Sequence, residues 1–375
     1  GATPVRKGCL EQRCPQGQEH VASRHGWWGV MSGLINPEID ALLEDTSRSF
    51  FLTLKVLPKR MRGQVGLLYL LARVADTIAD TKTGSEKQLI HALESYHEVC
   101  FPSGDVARGK TPLVPEFDEI AALQEHDGEQ RLMQNVAKVV SSIETFDKAD
   151  QERMRKCLEI IIGGQILDLQ RFGSANESDS IDALKNPQEL DDYAYRVAGS
   201  VGEFWTSMTL AHQTIFKQEN KIKMYDLGVR FGKALQMINI LRDIPEDLRF
   251  GRCYIPVDSL AEFDLEPPDL LNPKNMDKFR PIYNKNLDIA SSHLDAAAEY
   301  IGMLPYSQFR LKAACMLPVL IGQRTLTLLR TSNVLDGTNR VKVLRPEIKR
   351  LRNQTLRALV IPGGCQRLLR KNRGI

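Results

Sequence analysis

Carboxylates recur at helical spacing in this chain, each pair accompanied by side chains able to take part in chemistry. Tyr69, Arg73, Asp76 and Asp80 step by four, three and four residues, so on a helix they share one stripe with the two carboxylates a turn apart. Gln236, Asn239, Asp243 and Asp247 repeat the pattern with steps of three, four and four. A third polar stripe, Gln165 and Asp168 with Arg171 nearby, adjoins Gly163-Gly164, where missing side chains permit close approach of another helix or a substrate. A lone DxxxD is more often a surface acid pair satisfied by a neighbouring cation; two on separate helices are harder to dismiss. Like charges at i,i+4 weaken a helix, so something cationic must compensate. Oxygen-only ligands suit Mg²⁺, which takes one or two carboxylates plus waters and phosphate oxygens, whereas zinc calls for His or Cys and none is placed here. Such a site serves departure of diphosphate, with the metal neutralising the leaving charge and arginines adding bidentate contacts. The allylic carbocation left behind survives only where water is excluded.

These stripes need helices to hold them. From Pro37 onward most long segments carry 3.6-residue periodicity and alternating β-branched runs are nearly absent, so the chain reads as all-α. The pattern predicts helices near 37–46, 58–80, 86–99, 116–125, 130–144, 148–172, 187–217, 219–247, 256–262, 276–301, 307–332 and 345–359. On the helix ending at Asp80, the stripe opposite the acids (Val65, Leu68, Ala72, Ala75, Ala79) is apolar and packs outward. Pro245 should kink or end the second acidic helix near its second carboxylate, which makes Asp247 the less firmly placed ligand. No break has the composition of an interdomain linker. The expected organisation is a flexible extension over 1–33, a single helical-bundle domain over 34–360 with a central apolar cavity below an acidic rim, and a basic tail over 361–375.

Composition narrows the function classes. Apolar content is 42%, charge 26% and net charge +3, which fits an ordinary globular protein and argues against nucleic acid as a partner. From Arg340 to the end, 11 Lys or Arg face one acid, Glu347, and a basic cluster of this kind is drawn to anionic lipid headgroups. Seven scattered cysteines without a CxxC pair indicate reduced thiols and a cytoplasmic setting. The first 33 residues show no continuous apolar region of a secretory signal, and no apolar run approaches bilayer-spanning length, so any membrane association is expected to be peripheral. Nothing in the residues specifies an oligomeric state.

Four motifs in order resemble the squalene/phytoene synthase family over about 45–256. They are Ser47-Arg48-Ser49-Phe50; Arg73-Val-Ala-Asp76-Thr-Ile-Ala-Asp80; Tyr193-Ala-Tyr195-Arg196-Val-Ala-Gly199-Ser-Val-Gly202; and Gln236 to Asp247 continuing into Gly251-Arg252-Cys-Tyr254-Ile-Pro256. The resemblance implies an isoprenoid-synthase bundle that joins two farnesyl diphosphates head to head through a cyclopropyl diphosphate. It implies that Asp76, Asp80, Asp243 and Asp247 hold Mg²⁺, and that Arg48, Arg242, Arg252 and Tyr254 grip diphosphate. Phe50 would line the prenyl cavity; Ser47 and Arg73 belong to the same motifs and Tyr69 shares the stripe of Asp76 and Asp80, all three counted with the substrate-binding residues; Gln165, Asp168, Gln236 and Asn239 would support metal or phosphate, Asn239 as a further ligand. Arg196 stands where squalene synthases often carry Tyr immediately before VAG, which leaves Tyr193 and Tyr195 as the catalytic candidates.

Members of the family differ in how the last cation is quenched. Squalene requires hydride from NADPH, whereas dehydrosqualene or phytoene ends in proton loss. Segments Tyr195–Trp205 and Asp243–Pro256 look more like bacterial-type squalene synthases, so squalene with NADPH is the expectation. No GxGxxG follows a strand, so the nicotinamide would bind without a Rossmann unit; Lys55, Arg310 and Lys312 are the cations offered for its phosphates. Met208, Leu235, Met237, Met316 and Leu320 are expected to face the cavity. Two other readings remain: a terpene cyclase acting on one diphosphate, and a non-catalytic, membrane-associated assembly protein, which would have lost its aspartates.

Overall fold

Local capping signals set where the helices begin. Asn36 accepts from the Ile39 amide ahead of Pro37, Asp147 accepts from Asp150, and Asn186 accepts from Glu189 ahead of Pro187. Ser85 and Gln88 form a reciprocal capping box. These are the helix starts the periodicity places at 37, 148, 187 and 86.

The computed structural model describes residues 34–81, 84–102, 115–173, 180–213 and 218–374; the expected N-terminal extension lies outside them. In chain order the helices are α1 (Pro37–Thr46), α2 (Arg48–Val56), α3 (Lys59–Ala79), α4 (Glu86–Cys100), α5 (Pro115–Ala122), α6 (Asp127–Gln134), α7 (Val136–Ser141), α8 (Lys148–Phe172) and α9 (Pro187–Ala194). They continue as α10 (Ser200–His212), α11 (Gln218–Arg242), α12 (Ile244–Arg249), α13 (Val257–Ala261), α14 (Met276–Met303), α15 (Phe309–Thr331), α16 (Arg345–Leu359) and α17 (Gly364–Arg373). The all-α class read from the pattern holds. One short addition is a parallel pair of two-residue strands, β1 (Asp182–Ala183) and β2 (Arg252–Cys253).

The core runs between α3, α8, α10, α11, α14 and α15. On α3 the residues Val65, Leu68, Ala75 and Ala79 are buried and Ala72 is half-buried, as the apolar stripe requires. Helices α10 and α11 cross so closely that a Cβ on Gly202 would lie 1.9 Å from the Gly228 carbonyl oxygen. Only glycine fits there, and this crossing brings the tyrosine-bearing segment against the helix of the second acidic motif.

The elements depart from the periodicity in several places: α2 has no counterpart among the expected helices, and the single span expected over 130–144 begins at Asp127 and divides at Asn135 into α6 and α7. The span 187–217 is interrupted by a π-helical turn over Tyr195–Gly199. The helix expected to run to 247 ends at Arg242, and α12 starts afresh with Pro245 in its first turn. Proline clashes with the carbonyl four residues back, so the break falls before Asp243, a turn earlier than expected, and Pro245 lands where no amide is needed. The stretch 361–375, set apart by charge as a tail, contains α17, which packs on α14, α15 and α16. Its Cys365 and Leu369 are buried, Gln366 donates to the Ala298 carbonyl at 3.0 Å and Asn372 to that of Leu320 at 2.9 Å. Four basic residues on a ten-residue helix still leave enough apolar surface to dock.

Candidate active site

Asp76 lies in the last turn of α3 and Asp80 is its C-cap, and no basic residue shares that turn. Carboxylates at a helix C-terminus face the negative end of the peptide dipoles, so this end of α3 calls for cations or hydrogen-bond donors from elsewhere. Both come from partner elements. Gln165 on α8 donates its amide to Asp76 Oδ1 at 2.6 Å. Arg252 on β2 places Nη1 3.6 Å from Asp80 Oδ1 and 3.8 Å from Asp168 Oδ2.

Arg252 reaches this point because β2 is pinned. The Asp182 amide donates to the Gly251 carbonyl at 2.9 Å, the Leu184 amide donates to Cys253 at 3.1 Å, and Gly251 turns at φ 73, a conformation glycine tolerates. Two residues on, Tyr254 is buried and donates its hydroxyl to Asp168 Oδ2 at 3.0 Å. Tyr193 stacks on Tyr254 with centroids 4.6 Å apart and an interplanar angle of 26°. Phe172 meets the same ring edge-on at 5.2 Å.

Burial pushes Asp76 up to about 7, with Asp80 repelling it and Arg73 and Gln165 opposing the rise. Burial pushes Asp247 up to about 7 as well, with Asp243 adding repulsion and Arg252 opposing. Asp168 is raised to about 6 by burial, against the pull of Arg252 and the Tyr254 hydroxyl. Asp80 and Asp247 both act on Asp168 or feel its charge, so carboxylates from α3, α8 and α12 share one electrostatic neighbourhood around Arg252.

This arrangement suits magnesium and diphosphate. The donor set is oxygen only, and the buried Asp168 Oδ1 has no hydrogen-bond partner, leaving a lone pair aimed at something absent from the polypeptide. Among the described residues no three His, Cys, Asp or Glu side chains form a ready cage. Magnesium completed by phosphate oxygens and water needs none. Space exists too: a Cβ built on Gly163 would meet nothing within 4 Å, while one on Gly164 would lie 2.9 Å from the Arg196 Cβ.

The other candidates are distributed unequally. Asp243 lies at the α11–α12 break, with Arg242 donating to both its oxygens at 2.9 and 2.6 Å. Arg73 pairs with Glu129 on α6. Tyr69 and Gln236 are half-buried, Asn239 is exposed on α11, and Ser47 caps the C-terminus of α1. Arg48 and Phe50 belong to the first turn of α2, but their side chains lie outside the description. Tyr195 stands apart from the aspartates. Its hydroxyl donates to Glu203 at 3.0 Å, and with Asp191, Asp192 and Lys233 it lines an open cleft of about 450 Å³. Met208, Met237, Met316 and Leu320 are buried and Leu235 is half-buried, on α10, α11 and α15. Glu129 and Glu203 were missed because neither belongs to a spaced motif. Arg340, which donates to Asp243 at 2.9 Å, lies 97 residues downstream, and its only sequence signal was the basic character of its segment.

The family model "Squalene/phytoene synthase" matches residues 43–347. The chain is 27% identical over 269 residues to a bifunctional lycopene cyclase/phytoene synthase of Colletotrichum graminicola, covering 71% of this chain and 42% of that protein, so it spans about two fifths of that relative's length. It is 25% identical over 324 residues to the squalene synthase of Saccharomyces cerevisiae, covering 85% and 67%. Among solved structures, a complex of TcSQS with the ligand E5700 superposes with a TM-score of 0.70 at 19% identity, covering 89% of each chain; at that identity the likeness speaks for the fold. With its acidic motifs gathered around Arg252 on that fold, and with the family model matching most of its length, this chain belongs to the squalene/phytoene synthase family.

Proposed function

We propose that the chain condenses two farnesyl diphosphates head to head through a cyclopropyl diphosphate and then reduces the product to squalene with NADPH. The observation that carries the condensation is Arg252, one guanidinium shared by Asp80 and Asp168, carboxylates of two different helices. A cation held this way is available to the diphosphate while the aspartates take the metal. Asp76, Asp80, Asp243 and Asp247, with Asn239 as a further ligand, would hold Mg²⁺, and Asp168 with Gln165 would orient that shell. Magnesium, when bound, supplies charge neutralisation to the departing diphosphate. Tyr193 and Tyr254 cover Asp168 with their stacked rings and present a polar edge to the site, while buried methionines on α10, α11 and α15 keep the interior apolar for a carbocation. Retention of all four aspartates supports an enzyme over a non-catalytic assembly protein.

Reduction to squalene rests on the comparisons, in which the match to yeast squalene synthase covers more of this chain than the match to the bifunctional phytoene synthase. Two of the three cations offered for the nicotinamide phosphates are engaged elsewhere. Arg310 donates to the Val56 and Lys55 carbonyls at 2.8 and 3.2 Å, closing the C-terminus of α2, and Lys55 lies over the Phe51 ring at 4.2 Å. No hydride step is therefore assigned to named residues. The second reading, dehydrosqualene or phytoene by proton loss, draws on the phytoene synthase relative. Incubation with farnesyl diphosphate and Mg²⁺, with and without NADPH, followed by chromatography, decides between them: squalene only with NADPH supports the first, one dehydrosqualene in both cases the second.

We also infer a cytoplasmic enzyme that works at a membrane surface. No helix among the described residues is long and apolar enough to cross a membrane. The turn joining α16 to α17 exposes Val360 (72%) and Ile361 (48%), with Leu356 exposed one turn earlier, and Arg352, Arg357, Arg367 and Arg370 on the same two helices are exposed as well. Apolar tips beside arginines suit an anionic bilayer that would receive an insoluble hydrocarbon.

A further inference from the structure

Asp243 is the most heavily countered carboxylate of the two acidic motifs. Arg242 Nε and Nη2 donate to its two oxygens, and Arg340 donates a second pair of contacts to Oδ1, from Nε at 2.9 Å and Nη2 at 2.8 Å. Oδ1 is thus shared by two guanidinium groups. Arg340 also lies 3.6 Å from Glu246 in the first turn of α12.

The two arginines are mounted differently. Arg242 belongs to the last turn of α11 and is fixed beside its partner. Arg340 comes from the strap between α15 and α16, whose ends are anchored by buried Val334 and Leu335 on one side and Val343 on the other. Thr338, Asn339 and Arg340 between them are exposed, Arg340 by 54%. Strap and motif enclose a cleft lined by Asp243, Pro245, Asn339 and Arg340. An ion pair this exposed is weak, so a divalent cation arriving at Asp243 can displace it. The freed guanidinium then stands beside the metal with its planar donors unspent, a geometry that matches phosphate oxygens.

We propose that Arg340 stands in for the metal at the second aspartate motif and passes to the diphosphate when Mg²⁺ and diphosphate bind, carrying the strap over the site. The inference rests on the reading of Asp243 as a magnesium ligand. It assigns Arg340 two opposed effects: it competes with Mg²⁺ alone and assists Mg²⁺ with diphosphate.

Isothermal titration of the full chain separates the two, using Mg²⁺ alone and then inorganic pyrophosphate at saturating Mg²⁺. Arg340→Gln should tighten Mg²⁺ alone by about threefold, the scale of one exposed ion pair. The same variant should weaken pyrophosphate by about tenfold, the scale of one charge-assisted contact. Arg340→Lys, which keeps charge without the planar fork, should leave Mg²⁺ binding near wild type and still weaken pyrophosphate. Amide exchange over 334–343 in the wild type should slow when both ligands are present. If Arg340→Gln binds both ligands as the wild type does, or loses both equally, the proposal is overturned while the magnesium site stands. If the wild type binds neither, the magnesium reading falls and the proposal with it.

Discussion

The Gln165 amide donates to Asp76 Oδ1 at 2.6 Å, so the first acidic motif is oriented from a different helix. A half-buried carboxylate with one oxygen fixed presents the other in a defined direction. Gln165→Leu should leave the fold intact and lower kcat/KM for the head-to-head condensation by about tenfold, the usual worth of one hydrogen bond to a charged group. Gln165→Glu, which sets a like charge against Asp76, should cost more. Unchanged kinetics in both variants would remove Gln165 from the site.

Asp76 and Asp247 are both held up to about 7, above the ordinary 3.8. The folded protein then keeps protons that the unfolded chain releases, so stability is gained as pH falls through this window and lost as pH rises through it. The melting temperature of the metal-free protein should therefore climb between about pH 7.5 and pH 5, with Asp168, raised to about 6, adding to the climb in its lower half. Asp76→Asn with Asp247→Asn should remove the upper part of the climb and leave the part due to Asp168, and saturating Mg²⁺, which competes with those protons, should reduce it in the wild type. A wild-type curve that is flat from the outset contradicts the assignment.

Arg252 is 20% exposed and Asp168 6%, so deleting the cation strands a buried carboxylate. Arg252→Ala should cost roughly 3 kcal/mol in chemical denaturation. Adding Asp168→Asn should restore most of that stability and none of the activity, as the proposed role of Arg252 at the diphosphate requires. Additive stability losses in the double variant would show that the two residues do not interact.

The tyrosines should separate by function as they do by place. Tyr193→Phe removes the hydroxyl beside Tyr254 and Asp168 and should change rate or product distribution. Tyr195→Phe acts only on Glu203 and should stay within about twofold of wild type, as surface changes away from a site do. Single-turnover product analysis of both variants checks the order; a stronger effect at Tyr195 reverses the assignment.

Sedimentation with anionic liposomes tests the α16–α17 turn. Binding should weaken with salt and fall sharply for Val360→Glu with Ile361→Glu, since each nearby cation contributes about 1 kcal/mol only while the tip sits at the surface. Binding that ignores salt, lipid charge and this substitution argues for a different face.

Much of the architecture was legible because periodicity and caps are local. Asn36-Pro37, Ser85, Asp147 and Asn186-Pro187 announce their helices within four residues. The acidic stripes were legible for the same reason, as was their need of cations. The identity of those cations was not: Arg340 approaches Asp243 across 97 residues, and Glu129 draws Arg73 across 56. Such pairings are set by how helices cross. Nor could spacing tell Tyr193 from Tyr195, because the turn that parts them hides inside a helical pattern, and the docking of α17 was masked by a charge count that overlooks Cys365 and Leu369.

The wide turn over Tyr195–Gly199 has a consequence for how relatives can diverge. Closing a turn one residue late retards the phase of everything before it by about 100°, the rotation of one helical residue. Losing a single residue there would restore ordinary α-helical bonding and swing Tyr193 off the Tyr254 ring, while Gly202 kept its seat on Gly228. One codon's deletion at this point could re-aim the aromatic lining of the site without disturbing the crossing that supports it, so length changes among homologues at this turn should track differences in product rather than in stability.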